Sequence, residues 1–160
     1  MTVPESHAAT PLKAMRLSLS KSSAFQAMVG AKSEIDALSK IYYVSNPNEI
    51  APPFAVVDVL EGVWERVAVG AFTQTGRVEV ILRATITDSA DAAQGEALIV
   101  FLNTVGAIVG QVLALTAGQE CFLNIVGLRH STPARARRED RASIGDFYET
   151  VLEISYEGGL

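Results

Sequence analysis

The sequence predicts an α+β fold: a mostly antiparallel sheet of about four to six strands, with one long and one or two short helices packed on one face. Three observations lead there. The stretches GRVEVILRATIT and FYETVLEISYE alternate apolar and polar residues with a period of two, as a strand with one buried face requires. One long apolar stretch, centred on LIVFLNTVGAIVGQVLAL, repeats at helical spacing instead. Strand patterns come in consecutive runs before and after that helix, which argues against a repeating strand–helix–strand parallel sheet.

Taken in order, residues 1–20 (MTVPESHAATPLKAMRLSLS) are rich in Pro, Ser, Thr and Ala. They lack the continuous apolar core and early basic cluster of a secretory signal. A flexible N-terminal tail is expected over 1–20, and a single domain over 21–160. Ser22 or Ser23 can cap a short helix over AFQAMVG that Gly30 closes, and SEIDALSK reads as a second. IYYV is a short strand, followed by the Asn- and Pro-rich loop SNPNEIAPP. Pro52 and Pro53 can precede a strand but not occupy its middle. FAVVDVLE is then a strand, a turn is expected at Glu61–Gly62, and VWERVAVGAF is another strand.

In GRVEVILRATIT, Val78, Val80, Leu82, Ala84 and Ile86 point one way, and Arg77, Glu79, Ile81, Arg83 and Thr85 the other. Asp88 or Ser89 can cap the long helix, with Asp91 and Glu96 near its positive end. Its apolar positions include Ala97, Phe101, Val105, Ile108 and Val112, and Gly118 lies beyond its end. ECFLNIVGLRH is a strand, RHSTPARARREDRAS a long loop, and the last strand closes the chain.

Composition narrows the function. The chain has 160 residues, 49% hydrophobic and 19% charged, which suits one folded domain. Its mean hydropathy of +0.25 is high for a small soluble monomer, which either a membrane helix or extensive burial against other subunits would account for. The formal charge is −5, unevenly placed: residues 129–141 carry a net +3 and the remainder −8. A general nucleic-acid binder would spread a basic face over the domain, whereas opposite local charges suit complementary protein surfaces. Cys121, alone in an apolar stretch, allows no internal disulfide and reads as a small buried hydrophobe.

No catalytic or cofactor motif is legible. His7 and His130 have no metal-ligand spacing around them, and neither a phosphate-binding glycine loop nor a nucleophile elbow is present. A non-enzymatic protein without cofactor or metal is expected. Residues 98–115 lack charge and contain Gly106-x-x-x-Gly110, yet Asn103, Thr104 and Gln111 interrupt the run and no basic residue flanks it. The helix is therefore read as packed on the sheet or against a neighbouring subunit rather than in a membrane. Glu149, Glu153 and Glu157 share one face of the last strand, successive ones about 13 Å apart, too far for one metal ion. They form either a cross-strand partner face for Arg77 and Arg83 or the wall of a shared channel. Arg129, Arg135, Arg137, Arg138 and Arg141 supply planar donors for carboxylates or phosphates, and are read as a loop that contacts a neighbouring subunit or another acidic protein surface.

The order of segments SSAFQAMVGA, IYY, APPFAVV, GAFTQTGRVEVIL, FLNTVGAIVGQVLAL, LNIVGL and GDFYETVLEISYEGGL resembles that of tail terminator (tail-completion) proteins of long-tailed bacteriophages, over about residues 20–160. The resemblance implies a subunit of a hexameric ring that caps the tail tube and joins it to the head–tail connector. DNA would pass through the lumen without sequence-specific binding, and the protein would assemble in the host cytoplasm into the virion neck. A head–tail stopper or adaptor is the alternative within the same class. A small-ligand-binding or hydrolytic α+β protein, with His130 as the base, is the alternative outside it.

Overall fold

The computed structural model describes residues 10–43, 46–85, 91–117, 124–137 and 147–159. They form helices α1 (Thr10–Lys21), α2 (Ser23–Val29), α3 (Glu34–Leu38) and α4 (Asp91–Ala117), with a 3-10 turn at Pro47–Glu49. The strands are β1 (Ile41–Tyr42), β2 (Phe54–Ala68), β3 (Ala71–Thr85), β4 (Asn124–Arg137) and β5 (Phe147–Gly159). They make one five-stranded sheet in the order β1-β2-β3-β5-β4. Every neighbouring pair is antiparallel except the short β1–β2 pair. The fold is α+β, with a mostly antiparallel sheet.

The alternation in β3 and β5 decides which side meets the helices. Register pairs Val78↔Ile154, Val80↔Leu152, Leu82↔Thr150 and Ala84↔Tyr148 stack one apolar row across the two strands. That row packs into a single core with Met15 and Leu19 of α1, Phe25 of α2, and Phe101, Val105, Ile108 and Val112 of α4. Phe101 and Tyr148 stack with ring centroids 5.5 Å apart. α4 is fastened at its other end by Gln111, whose Oε1 accepts from Ser22 Oγ at 2.6 Å and from the Ala24 amide at 3.1 Å.

Three expectations are corrected. The flexible tail over 1–20 does not hold for residues 10–20, which belong to α1. Met15 and Leu19, spaced i, i+4, are fully buried, so packing overrides the weak helix propensity of TPLKAMRLSLSK. Arg16 ties the helix down, donating to the Leu38 and Ile41 carbonyls at 2.8 and 3.2 Å. Ser22 does cap α2, accepting from the Phe25 amide, and Gly30 ends it.

The turn expected at Glu61–Gly62 is instead a bulge between Val59 and Glu61 within a continuous β2, and the chain reverses at Val69–Gly70. Gly70 has φ 77°, a turn conformation glycine adopts freely. Gly62 lies opposite Gly76, which lies opposite Tyr156. The Tyr156 ring fills the flat strip the two glycines leave; a Cβ on Gly76 would meet its hydroxyl at 2.6 Å as well as the Glu61 carbonyl. Glycine here makes room for an aromatic ring rather than a turn.

Third, residues 129–137 are not a loop but the second half of β4. Pro133 and the arginines look loop-like in sequence, yet β4 is an edge strand, where proline is tolerated. The last of its three register shifts against β5, between Thr132 and Arg135, spans that proline. The expectations placed on residues 1–9 (His7 among them), Ile86, Asp88, Ser89, Gly118, Cys121, Arg138 and Arg141 lie outside the described residues.

Candidate functional site

Two surfaces stand out: the sheet face opposite the helices, and the outward side of α4. The first follows from the same period-two alternation that built the core. Every residue skipped by the core row points to the helix-free face, and the register sorts these residues into rows across the strands. One row runs Phe54–Arg83–Glu149, continuing to the register position of Arg135 on β4. A second runs Asp58–Glu79–Glu153–Arg129, and a third begins Glu61–Arg77–Ser155.

In the first row the Arg83 guanidinium is almost wholly buried, at 3% exposure. It donates through Nε to Glu149 Oε2 at 2.7 Å, through Nη1 to the Pro47 carbonyl at 3.0 Å and through Nη2 to Asn48 Oδ1 at 3.3 Å. Its planar group also lies 4.2 Å from the Phe147 ring centroid. This ion pair clamps the Pro47–Glu49 turn onto the sheet. Buried charge is tolerated here because each partner is hydrogen-bonded.

In the second row Glu153 takes hydrogen bonds from Arg129 Nη2 at 3.0 and 3.1 Å and from Arg77 Nη1. Burial pushes its carboxyl upward, but the hydrogen bonds from Arg129 and Arg77 outweigh that and hold it below its ordinary value. Arg77 also bonds Glu61 at 2.8 Å, and its own value is raised by Glu153 first and Glu61 second. Glu79 sits between two acids in the row. Burial, then Asp58, then Glu153 raise its carboxyl.

The three glutamates singled out in the sequence therefore separate. Glu149 and Glu153 are buried partners of arginines on the neighbouring strands, while Glu157 is exposed opposite Thr75 and Asn124. Of the five arginines, Arg129 meets Glu153. Arg135 and Arg137 occupy β4 positions opposite Glu149 and Phe147. The sequence places Glu79 on the polar face of its strand without giving it a role, and nothing there singles out Asp58. Alternation alone places each on the polar face of its strand, but only the register brings them beside Glu153. His130 Nδ1 lies 3.0 Å from Thr150 Oγ1. Among the described residues, no group of three His, Cys, Asp or Glu side chains is placed to hold a metal ion.

The second surface is on α4. Phe101, Val105, Ile108 and Val112 face the sheet, leaving Ile99 58%, Val100 63% and Leu102 44% exposed. Nothing lies within 4 Å of a Cβ built on Gly106 or Gly110. The segment Glu96–Leu115 is long and apolar enough to cross a membrane by length and composition, and 22% of its window is buried. Beside it, an open groove of about 650 Å³ is lined by Ala24, Met28, Ala84, Phe101, Ala107 and Tyr148. The described residues thus leave an uncharged, apolar face of α4 uncovered.

No known family model matches the chain, and no curated protein matches its sequence.

Proposed function

We propose that this chain is a non-enzymatic structural subunit: a tail terminator that forms a ring, hexameric by the resemblance, at the end of a phage or phage-like tail tube. The observation that carries the reading is α4. It uses one face to close the core and presents the other, with Ile99, Val100 and Leu102, to the outside. A chain built to act as a monomer has little use for such a face, whereas a ring subunit buries it against a neighbour or the tube. The split of charge between a basic β4 and an acidic remainder supports the same reading, since ring contacts join unlike patches.

On this reading the partners are further copies of the chain, the tail tube protein and the head–tail connector. DNA passes through the lumen without sequence-specific contact, and the protein resides in the virion neck after assembly in the host cytoplasm. The test is direct. Purified protein added to growing tail tubes should bind the tube end and stop elongation; tubes that lengthen unchanged in its presence would exclude the terminator role.

A further inference from the structure

The sheet ends in two long edges of opposite charge. β1 covers β2 only at Ala55 and Val56, so from Val57 to Ala68 the one strand neighbour of β2 among the described residues is β3. On the far side, β4 has β5 alone among the described residues. Such edges carry rows of backbone donors and acceptors and are templates for another strand.

Charge distinguishes the two. β2 beyond Val57 carries Asp58, Glu61 and Glu65 against Arg66, while β4 carries Arg129, Arg135 and Arg137 and no acid. The register puts the three acids and Arg129 on one side of the sheet, with Arg135 and Arg137 further along β4. Asp58, Glu61 and Glu65 lie opposite Glu79, Arg77 and Thr73. Arg129 lies opposite Glu153 on that same helix-free face, and Arg135 and Arg137 hold the register positions opposite Glu149 and Phe147. Direction agrees too: three successive antiparallel pairings from β2 through β3 and β5 to β4 leave β2 and β4 running oppositely.

We propose that β4 of one copy pairs antiparallel with the β2 edge of the next, so that the sheet continues from subunit to subunit. The arginines of β4 then face the acids of β2 across the new strand pair. Like edges repel, which disfavours β4–β4 and β2–β2 contacts and selects the heterologous one. A heterologous contact between unlike edges closes into a ring when its rotation allows. With the bulkier helix layer outermost, closure turns Asp58, Glu79 and Glu153 toward the ring axis. The proposal takes only the ring from the reading above and supplies the joint that makes it.

The test is a charge swap. One variant carries Arg135→Glu and Arg137→Glu, so that both edges are acidic. The other carries Asp58→Lys and Glu65→Lys, so that both are basic. Circular dichroism establishes that each is folded; Arg137→Glu with Glu65→Lys replaces any double variant that is not. By sedimentation and electron microscopy, at low salt and on tail ends, each variant alone should lose the ring, and an equimolar mixture should regain it with alternating subunits. Folded variants that each form rings as the wild type does, or a mixture that stays monomeric, would overturn the joint. Wild-type rings on tail ends with swap-insensitive variants sink the joint and leave the terminator reading standing. Swap-dependent rings that never cap a tail support the joint and sink that reading. A wild-type chain monomeric in both settings overturns both.

Discussion

Arg83 and Glu149 show how a single pair can hold two layers of this molecule. Removing the guanidinium leaves the Glu149 carboxylate, at 4% exposure, without its closest cation, and frees the Pro47–Glu49 turn. Arg83→Leu should lower stability by about 3–5 kcal/mol, the usual cost of breaking a buried pair on one side. Arg83→Leu with Glu149→Leu should recover much of that loss, because an apolar pair leaves no uncompensated charge. Chemical denaturation of the three chains measures it; a single variant within about 1 kcal/mol of wild type contradicts the clamp.

Glu79 makes the opposite kind of prediction. Its value is raised, first by burial and then by Asp58 and Glu153, with Arg77 and Arg129 engaged by Glu153 rather than by Glu79. The folded chain thus holds this proton more tightly than the unfolded one. Its favourable contribution is complete below the ordinary 4.5 and is lost as the pH rises through the higher folded value. Glu153, held low, contributes in the other sense: its stabilisation is present above 4.5 and fades as the pH falls. Glu79→Gln should therefore raise the melting temperature near neutral pH, with the gap closing as the pH approaches 4.5. A variant that melts below wild type at neutral pH would show that Glu79 is held by something other than repulsion.

At the scale of elements, α4 separates core from surface along one helix. Ile108 is 1% exposed and Ile99 58%. Ile108→Ala should cost about 2–5 kcal/mol, the range for truncating a buried aliphatic side chain. Ile99→Ala should stay within about 0.5 kcal/mol in the isolated subunit. Equal losses at the two positions would place α4 in a different setting.

What was legible in the sequence follows from which signals are local. The two strands of cleanest alternation, the long helix, and the Ser22 cap with Gly30 are set by spacing and caps within a few residues, and the structure has them. The same spacing assigns Glu149 and Glu153 to one face and offers Arg77 and Arg83 as cross-strand partners, which the ion pairs bear out; that the two strands adjoin, 66 to 76 positions apart, only the register decides. What misled were residues whose usual local meaning is overridden by distant packing. Gly62 and Gly76 serve the Tyr156 ring rather than a turn. Pro133 and the arginines around it sit on a bulged edge rather than in a loop. The Ser-rich α1 becomes a helix because Met15 and Leu19 have a sheet and α4 to pack against.

For the whole molecule, one arrangement links these features. The helices close one face of the sheet. The other face carries paired charges, the two sheet edges carry opposite sign, and α4 turns an uncharged side outward. Each surface suits contact with a further macromolecule, and their unlike character suits a ring of identical subunits more than a two-fold dimer. On the function proposed above, this chain is a ring-forming subunit at the end of a tail tube. The most direct measurement is electron microscopy of tails carrying a tagged copy of the 17.1 kDa chain. A single ring of these subunits is expected, with the tag only at the head-proximal end of the tube. Tails without the tag, or tag distributed along the tube, would contradict it.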